Sequence, residues 1–281
     1  MMSRIRTVLE DSIFYAPNPF FRAKFFSDYA DPFLAVKQLK LTGSLNLGLF
    51  FPKSICLEIR HEMDKVFSGK RSEVRSKINS HTGIFHIIDS LSMHPAIAQF
   101  ATHPYLLAVI ERYLRRRIYL ADIDIRRVLP ISMKEVDNLA GTKGLGYTSS
   151  HWHRDIRGRQ VKIMIYLTDV GQNDSNFSYL PKTHTGRHIR PSKVESSRFT
   201  ENEIANLGVP MVDCCGPAGT TLIFDTNLIH RLRRKSGASI RDSITFYYTP
   251  GQELRAIDIP PEILKSVAPS YSNIFGGQRQ G

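Results

Sequence analysis

The sequence predicts an α+β protein with a mainly β core, in which helices pack on an antiparallel sheet or a jelly roll. Two patterns carry this prediction. The first half of the chain shows apolar residues at helical spacing, whereas the second half shows short β-branched or alternating runs separated by glycine and proline. The chain has 281 residues, which is enough to bury a core within one large domain.

The composition excludes several other classes of protein. Hydrophobic residues make up 42% of the chain and charged residues 23%, which excludes a disordered or coiled-coil protein. No apolar run approaches the ~18 residues of a membrane span, and residues 1–21 lack the apolar run of a signal peptide. Three cysteines cannot form a disulfide framework. We therefore expect a cytoplasmic protein with no membrane partner.

Helices are predicted first along the chain. Residues 54–67 repeat apolar side chains at helical spacing, and 103–114 continue similarly after Pro104. We assign a helical N-terminal part to about 1–117, a jelly-roll core to about 118–250 and a C-terminal tail to 251–281, all within a single domain.

The predicted core begins with an extended segment at 118–129, which is rich in β-branched residues. Residues 130–150 are predicted to form a loop whose glycines do not match a dinucleotide-binding fingerprint. Thr200 and Glu203 form the capping box of a short helix. Strands are predicted near 151–156, 160–168, 177–181, 211–214, 220–225 and 239–249.

The sharpest local signal is His151-Trp152-His153-Arg154-Asp155. Residues two apart on a strand share a face, so the two histidines and the carboxylate are predicted to point the same way. An imidazole beside a carboxylate is a ready pair of ligands for iron(II). His151 is a competing ligand, but only His153 has the HxD spacing.

His230 is the best candidate for a third ligand because it follows the apolar strand 220–225. Two histidines and one carboxylate form the facial triad of non-haem iron oxygenases, which leaves three coordination positions open. Zinc more often takes a tetrahedral site with one open position. Arg241 follows eleven residues later and shares a strand face with Ser243, and a guanidinium can bind a carboxylate through two parallel hydrogen bonds. Taken alone, each of these residues is better explained as an ordinary surface or core position.

Taken together, these features resemble the phytanoyl-CoA dioxygenase superfamily of iron(II)/2-oxoglutarate oxygenases over roughly residues 94–250. The HxD strand is followed by the strand 162–170, the turn 180–184 and the segment 216–220 before the distal histidine, which is the order of the family. The resemblance implies a double-stranded β-helix of the jelly-roll or cupin type, with N-terminal helices packed on the major sheet. It also implies that His153, Asp155 and His230 are the metal ligands and the catalytic residues.

The resemblance further implies a cosubstrate pocket. Arg241, helped by Ser243, would bind the distal carboxylate of 2-oxoglutarate. Met164 and Tyr166 share the strand face that packs against the cosubstrate in the family, although a core role fits them equally well. Many relatives have glycine at the position of Ser175 and Gly-Ser at 182–183, and some place a hydroxyl at the position of Leu232.

The chemistry that the family implies uses Fe(II) as cofactor and 2-oxoglutarate and O2 as cosubstrates. It oxidises an unactivated C–H bond and releases succinate and CO2. Related halogenases lack the ligand carboxylate, so Asp155 favours hydroxylation, or a variant such as desaturation or demethylation.

The distribution of charge suggests an anionic small-molecule substrate. The net charge is +12, and all of this excess lies within the segments 153–162, 182–193 and 230–241, two of which contain predicted ligands. A basic site mouth raises the local concentration of anions. A nucleic-acid demethylase, a non-catalytic binding module and a zinc hydrolase are the alternatives, and no reader motif for nucleic acid is recognisable. The sequence leaves the oligomeric state open.

Overall fold

A computed structural model of the chain describes residues 31–79, 83–130, 132, 149–155, 160–186 and 198–250. The predicted tail 251–281 and most of the predicted loop 130–150 lie outside these residues. The helices are α1 (Pro32–Thr42), α2 (Lys53–Phe67), α3 (Ser90–Met93), α4 (Pro95–Ala101), α5 (Pro104–Leu114) and α6 (Glu201–Asn206). The strands are β1 (Ser44–Leu49), β2 (Ser76–Asn79), β3 (Ile84–Ile87), β4 (Ile118–Val128), β5 (Trp152–His153), β6 (Val161–Tyr166), β7 (Asn176–Leu180), β8 (Arg198–Phe199), β9 (Val212–Cys214), β10 (Thr220–Asp225), β11 (Ile229–Arg233) and β12 (Arg241–Pro250).

The strands form two antiparallel sheets. The larger sheet has the order β1-β10-β6-β12-β4-β3-β2, and the smaller has the order β8-β5-β11-β7-β9. The sheets pack face to face, because Met164 and Leu222 of the larger sheet share one apolar cluster with Phe177 and Cys214 of the smaller. This arrangement is consistent with a double-stranded β-helix and confirms the predicted fold class.

The five helices α1 to α5 cover the outer face of the larger sheet, whereas α6 packs against the smaller sheet. Side chains alternate between the two faces of a strand, so Ile163 and Ile165 of β6 point away from the smaller sheet. They share the main core with Leu39 of α1, Ile59 of α2 and Leu106 of α5, all buried. None of the helices in the described part of the chain has the length and apolar character needed to cross a bilayer.

The N-terminal part also contributes three strands that the sequence analysis did not predict. β1 pairs with β10 at one edge of the larger sheet, while β2 and β3 extend its other edge beyond β4. These strands are short. β1 and β3 pair with strands distant in sequence and β2 pairs only with β3, so their hydrophobic pattern alone is a weak signal. The predicted cap of α6 is confirmed, because Thr200 and Glu203 form a capping box.

A buried ion-pair network joins helix α2 to the strand that carries Arg241. The Asp242 carboxylate is fully buried and accepts hydrogen bonds from Arg127 Nε at 2.8 Å and Arg127 Nη2 at 2.7 Å. Arg60 Nε of α2 lies 3.3 Å from the same carboxylate, and Asp64 of α2 contacts Arg127 Nη2 at 2.7 Å. The network therefore holds β12 in register with β4 from behind the cavity.

Breaking this network should destabilise the fold. Asp242→Asn removes the buried charge between Arg127 and Arg60, and we expect the free energy of unfolding to fall by about 3 kcal/mol, measured by urea denaturation. The matched control is Asp64→Asn, whose carboxylate side chain is 53% exposed, with an expected change below about 1 kcal/mol. Equal effects of the two substitutions would contradict the central role of Asp242.

Candidate metal centre

Two histidines face each other across neighbouring strands of the smaller sheet. His153 on β5 pairs directly with His230 on β11, and the ring centroids lie 4.3 Å apart. His153 Nδ1 lies 2.7 Å from the His151 carbonyl oxygen, and His230 Nδ1 lies 2.7 Å from that of Leu228. A carbonyl only accepts, so both Nδ1 atoms must be the donors, and each Nε2 carries the lone pair that a metal needs.

Asp155 completes a group of three donors. Its Oδ1 lies 3.8 Å from His153 Nε2 and its Oδ2 lies 3.9 Å from His230 Nε2. The three donor atoms all lie within 4.8 Å of one another. His151 does not belong to this group; its carbonyl instead orients His153. Because β5 ends at His153, pairing within that strand does not position Asp155. Its backbone N–H instead donates to the Thr226 carbonyl at 3.0 Å.

A tight turn between β10 and β11 sets the position of His230. The Asp225 carboxylate accepts from the Asn227 N–H at 2.8 Å and from the Tyr113 hydroxyl at 2.6 Å. The Thr226 hydroxyl donates to the Gln160 carbonyl at 3.0 Å. The sequence analysis placed His230 after the strand 220–225, and the structure shows that it is the second residue of a further strand, β11, beyond this turn.

The protonation states of the three residues suit metal binding. Burial is the main cause that lowers the pKa of His153 to about 3, and the neighbouring His230 adds to it. Burial also lowers the pKa of His230. For Asp155, burial opposes ionisation, but His230, Lys162 and His153 outweigh burial and hold the pKa below its usual value. The site therefore presents two neutral imidazoles and one carboxylate.

Arg241 and Ser243 present donors to the same cavity. Arg241 begins β12, and both residues are buried and line the cavity with the three predicted ligands. Burial lowers the pKa of the Arg241 guanidinium to about 10, so it is still cationic at neutral pH. Its Nε and Nη1, and the Ser243 hydroxyl, are buried and have no hydrogen-bond partner among the described residues. Unpartnered buried donors of this kind fit a carboxylate ligand.

Met164 and Tyr166 occupy different places although they share a strand face. Met164 lines the cavity. Tyr166 is fully buried behind it, where its hydroxyl donates to the Cys214 carbonyl at 2.9 Å and accepts from the Phe177 N–H at 3.3 Å. The Arg241 guanidinium lies over the Tyr166 ring at 5.9 Å. Tyr166 therefore contacts the site by packing under Arg241.

The family model for phytanoyl-CoA dioxygenase matches residues 39–243. The chain belongs to the phytanoyl-CoA dioxygenase family. This membership makes it a 2-oxoglutarate-dependent oxygenase whose cofactor is iron and whose cosubstrates are 2-oxoglutarate and O2. The His153, Asp155 and His230 group has the donor set that this chemistry requires.

Solved structures share the fold of this family member at low sequence identity. The non-haem 2-oxoglutarate-dependent carbocyclase SnoK of nogalamycin biosynthesis is 15% identical with a TM-score of 0.56, covering 77% of this chain and 83% of its own. HygX from Streptomyces hygroscopicus, with nickel and 2-oxoglutarate bound, is 17% identical with a TM-score of 0.54, covering 79% and 88%. The epimerase SnoN is 14% identical with a TM-score of 0.55, covering 82% and 89%. A search of curated proteins finds no match.

Two cations in the wall of the dioxygenase cavity were not selected from the sequence. Lys162 lies on β6 and contacts Asp155, and Arg126 lies on β4 directly opposite Ser243. Lys162 shares a face with Met164, so strand alternation was a usable signal for it. No pattern in the sequence indicated a role for Arg126, because only the pairing of β4 with β12 brings it to the site.

The departures from the family pattern have structural roles in this dioxygenase. Lys182, where many relatives have glycine, adopts a left-handed backbone conformation with φ of 68°. The Thr183 hydroxyl accepts from the Ile229 N–H at 3.0 Å, next to the ligand His230. Leu232 packs against Ile84 and Val128 and lines the cavity.

Metal binding by this dioxygenase should depend weakly on pH. Because burial lowers the pKa of both histidines, we expect the Co(II) affinity to change less than about twofold between about pH 6 and pH 8. If both histidines had the ordinary pKa of ~6.5, their protonation would make Co(II) binding more than about tenfold weaker at about pH 6 than at about pH 8. A titration of the apo-protein with Co(II) at several pH values measures the difference, and a tenfold loss would contradict the protonation states given above.

Proposed function

We propose that this chain hydroxylates an unactivated C–H bond of a small anionic molecule and releases succinate and CO2. In this proposal His153, Asp155 and His230 hold Fe(II). Arg241 and Ser243 bind the distal carboxylate of 2-oxoglutarate. The bound iron supplies the oxidising chemistry by coupling decarboxylation of 2-oxoglutarate to oxidation of the C–H bond.

The proposal assigns the positioning of the cosubstrate to residues of β12 and β6. Arg241 and Ser243 direct three buried donor atoms at the cavity, enough for the two oxygens of one carboxylate. Met164 contributes an apolar wall beside them. Enclosure by buried side chains strengthens these charge-assisted hydrogen bonds, because water that would compete for the donors is excluded.

The observation that carries the anionic substrate is the charge of the cavity wall. The side chains of the described residues that line it include three cations and a single acid, Asp155; the cations are Arg126, Lys162 and Arg241. Arg231 also lines the cavity, but its guanidinium lies over the Trp152 ring and pairs with Glu201, on the other face of the strand. A divalent metal and a dicarboxylate cosubstrate offset each other's charge, so the wall keeps a positive excess. Arg126 contacts Asp124 through Nη2, but its buried Nε has no hydrogen-bond partner in the described chain. A site of this charge attracts anions.

A small substrate is supported by analogy with the structural neighbours. One HygX structure contains hygromycin B, and one SnoN structure contains nogalamycin RO. The fold is also shared with a carbocyclase and an epimerase. The product mass separates these outcomes, because hydroxylation adds one oxygen atom whereas epimerisation leaves the mass unchanged.

The test begins with an anaerobic titration of the apo-protein with Fe(II) and then 2-oxoglutarate, followed by visible absorption. Matched pairs of small molecules, each a carboxylate or phosphate ester and its neutral counterpart, are then supplied with oxygen while succinate is measured. We expect the anionic member to stimulate succinate formation, and kcat/KM to fall as salt is added. Equal stimulation by neutral members would overturn the anionic assignment, and tight zinc binding without succinate formation would favour a hydrolase.

A further inference from the structure

Lys162 places an ammonium group beside the predicted metal ligands. It lies on β6 between Phe224 of β10 and Tyr247 of β12 in the register of the larger sheet. Its Nζ is 2.7 Å from Asp155 Oδ2 and 4.4 Å from the centre of the Tyr247 ring. The residue is only 8% exposed. A buried ammonium requires a partner of opposite charge, and Asp155 supplies it.

The two oxygens of the Asp155 carboxylate have different surroundings. Oδ2 contacts Lys162 and lies 3.9 Å from His230 Nε2, whereas Oδ1 lies 3.8 Å from His153 Nε2. Packing against Tyr247 and the Phe224 ring, whose centre is 6.0 Å from Nζ, limits where the ammonium can move. The ammonium is therefore directed at Oδ2 rather than at Oδ1.

We propose that Lys162 is a positioning residue that makes Asp155 bind iron through a single oxygen, Oδ1. The proposal rests on the iron chemistry of the family and not on the charge of the primary substrate. A facial triad with one oxygen from the carboxylate leaves three coordination positions open. A carboxylate bound through both oxygens would occupy a fourth position and reduce the space for the two cosubstrates.

A positioning role and a purely structural role predict different metal affinities. If Lys162 only neutralised a buried carboxylate, its removal would loosen the site, and metal affinity would fall together with thermal stability. If it positions Asp155, its removal frees Oδ2 and also removes a cation that repels the metal. Metal affinity is then maintained or increased, while turnover falls because the coordination positions are no longer arranged for the cosubstrates.

The experiment compares Lys162→Met with Lys162→Arg by titrating each apo-protein with Co(II) and recording its visible absorption. We expect the methionine variant to bind Co(II) at least as tightly as the wild type, with an altered spectrum. Succinate formation at saturating 2-oxoglutarate should fall at least about tenfold. The arginine variant, which keeps a cationic donor, should restore the wild-type spectrum. Arg233→Met is the matched control, since it removes a β11 cation that pairs with Asp213 and does not line the cavity.

Two results would overturn the proposal. One is a Co(II) affinity in Lys162→Met that falls in parallel with its melting temperature, which would show a structural role. The other is a wild-type spectrum with wild-type succinate formation. Should the methionine variant not fold, Lys162→Gln carries the same test with a neutral donor. The Co(II) titration needs no substrate, so its outcome is independent of the anionic substrate assignment.

Discussion

Asp155→Ala is expected to abolish turnover while leaving a folded protein. The substitution removes the only anionic member of the three-residue group, so the metal loses both a ligand atom and the charge that offsets it. We expect succinate formation to fall by at least about 10³-fold, equivalent to about 4 kcal/mol in activation free energy. The loss should appear in both turnover and Co(II) affinity.

The control for this substitution must account for Lys162, because its ammonium contacts the carboxylate that is removed. Leaving a buried ammonium without its counter-ion destabilises a fold by about 3 kcal/mol or more. The double variant Asp155→Ala/Lys162→Met removes both charges and should recover much of this stability without recovering turnover. Wild-type turnover in either folded variant would refute the assignment of Asp155 as a metal ligand.

Arg241→Ala is expected to weaken 2-oxoglutarate binding with a smaller effect on kcat at saturation. The substitution removes two buried donors, Nε and Nη1, that point at the cavity. Hydrogen bonds to charged groups contribute about 1.5 kcal/mol each at least. Their loss should therefore raise the KM for 2-oxoglutarate by roughly 100-fold.

A cosubstrate without the distal carboxylate provides the specific control. 2-Oxovalerate has the same keto-acid end, so any use of it should be similar in the wild type and in Arg241→Ala. The matched variant is Arg233→Ala, which removes a β11 guanidinium that contacts Asp213. We expect that variant to keep the wild-type KM for 2-oxoglutarate. An unchanged affinity in Arg241→Ala would show that another group binds the distal carboxylate.

Local patterns in the sequence were sufficient for the parts of the fold built from neighbouring residues. The periodicity of 54–67 and 103–114 predicted helices that the structure has as α2 (Lys53–Phe67) and α5 (Pro104–Leu114). Alternation and β-branching predicted β4, β6 and β10 to within a few residues. The periods of 3.6 and 2 arise from the backbone itself, so they can be read without knowing what each element packs against.

Long-range pairing explains what the sequence analysis missed. β1 and β3 are short strands that pair with the distant strands β10 and β4, and β2 joins the sheet only through β3. The side chains of β11 alternate between the two faces as expected for a strand, and His230 and Leu232 are both buried on one face. No strand was nevertheless predicted between 220–225 and 239–249, because the turn held by Asp225 has no glycine or proline to mark it.

The sequence by itself determined the residue types of the site and their order: HxD, the distal His230, then Arg241 and Ser243. These follow from chemistry, since an iron triad and a carboxylate clamp need particular side chains at spacings that strands can present on one face. The HxD spacing already favoured His153 over His151, and only the tertiary structure decided that Lys162 and Arg126 line the same cavity. The physical reason is that register between distant strands, and not spacing along the chain, determines which side chains meet.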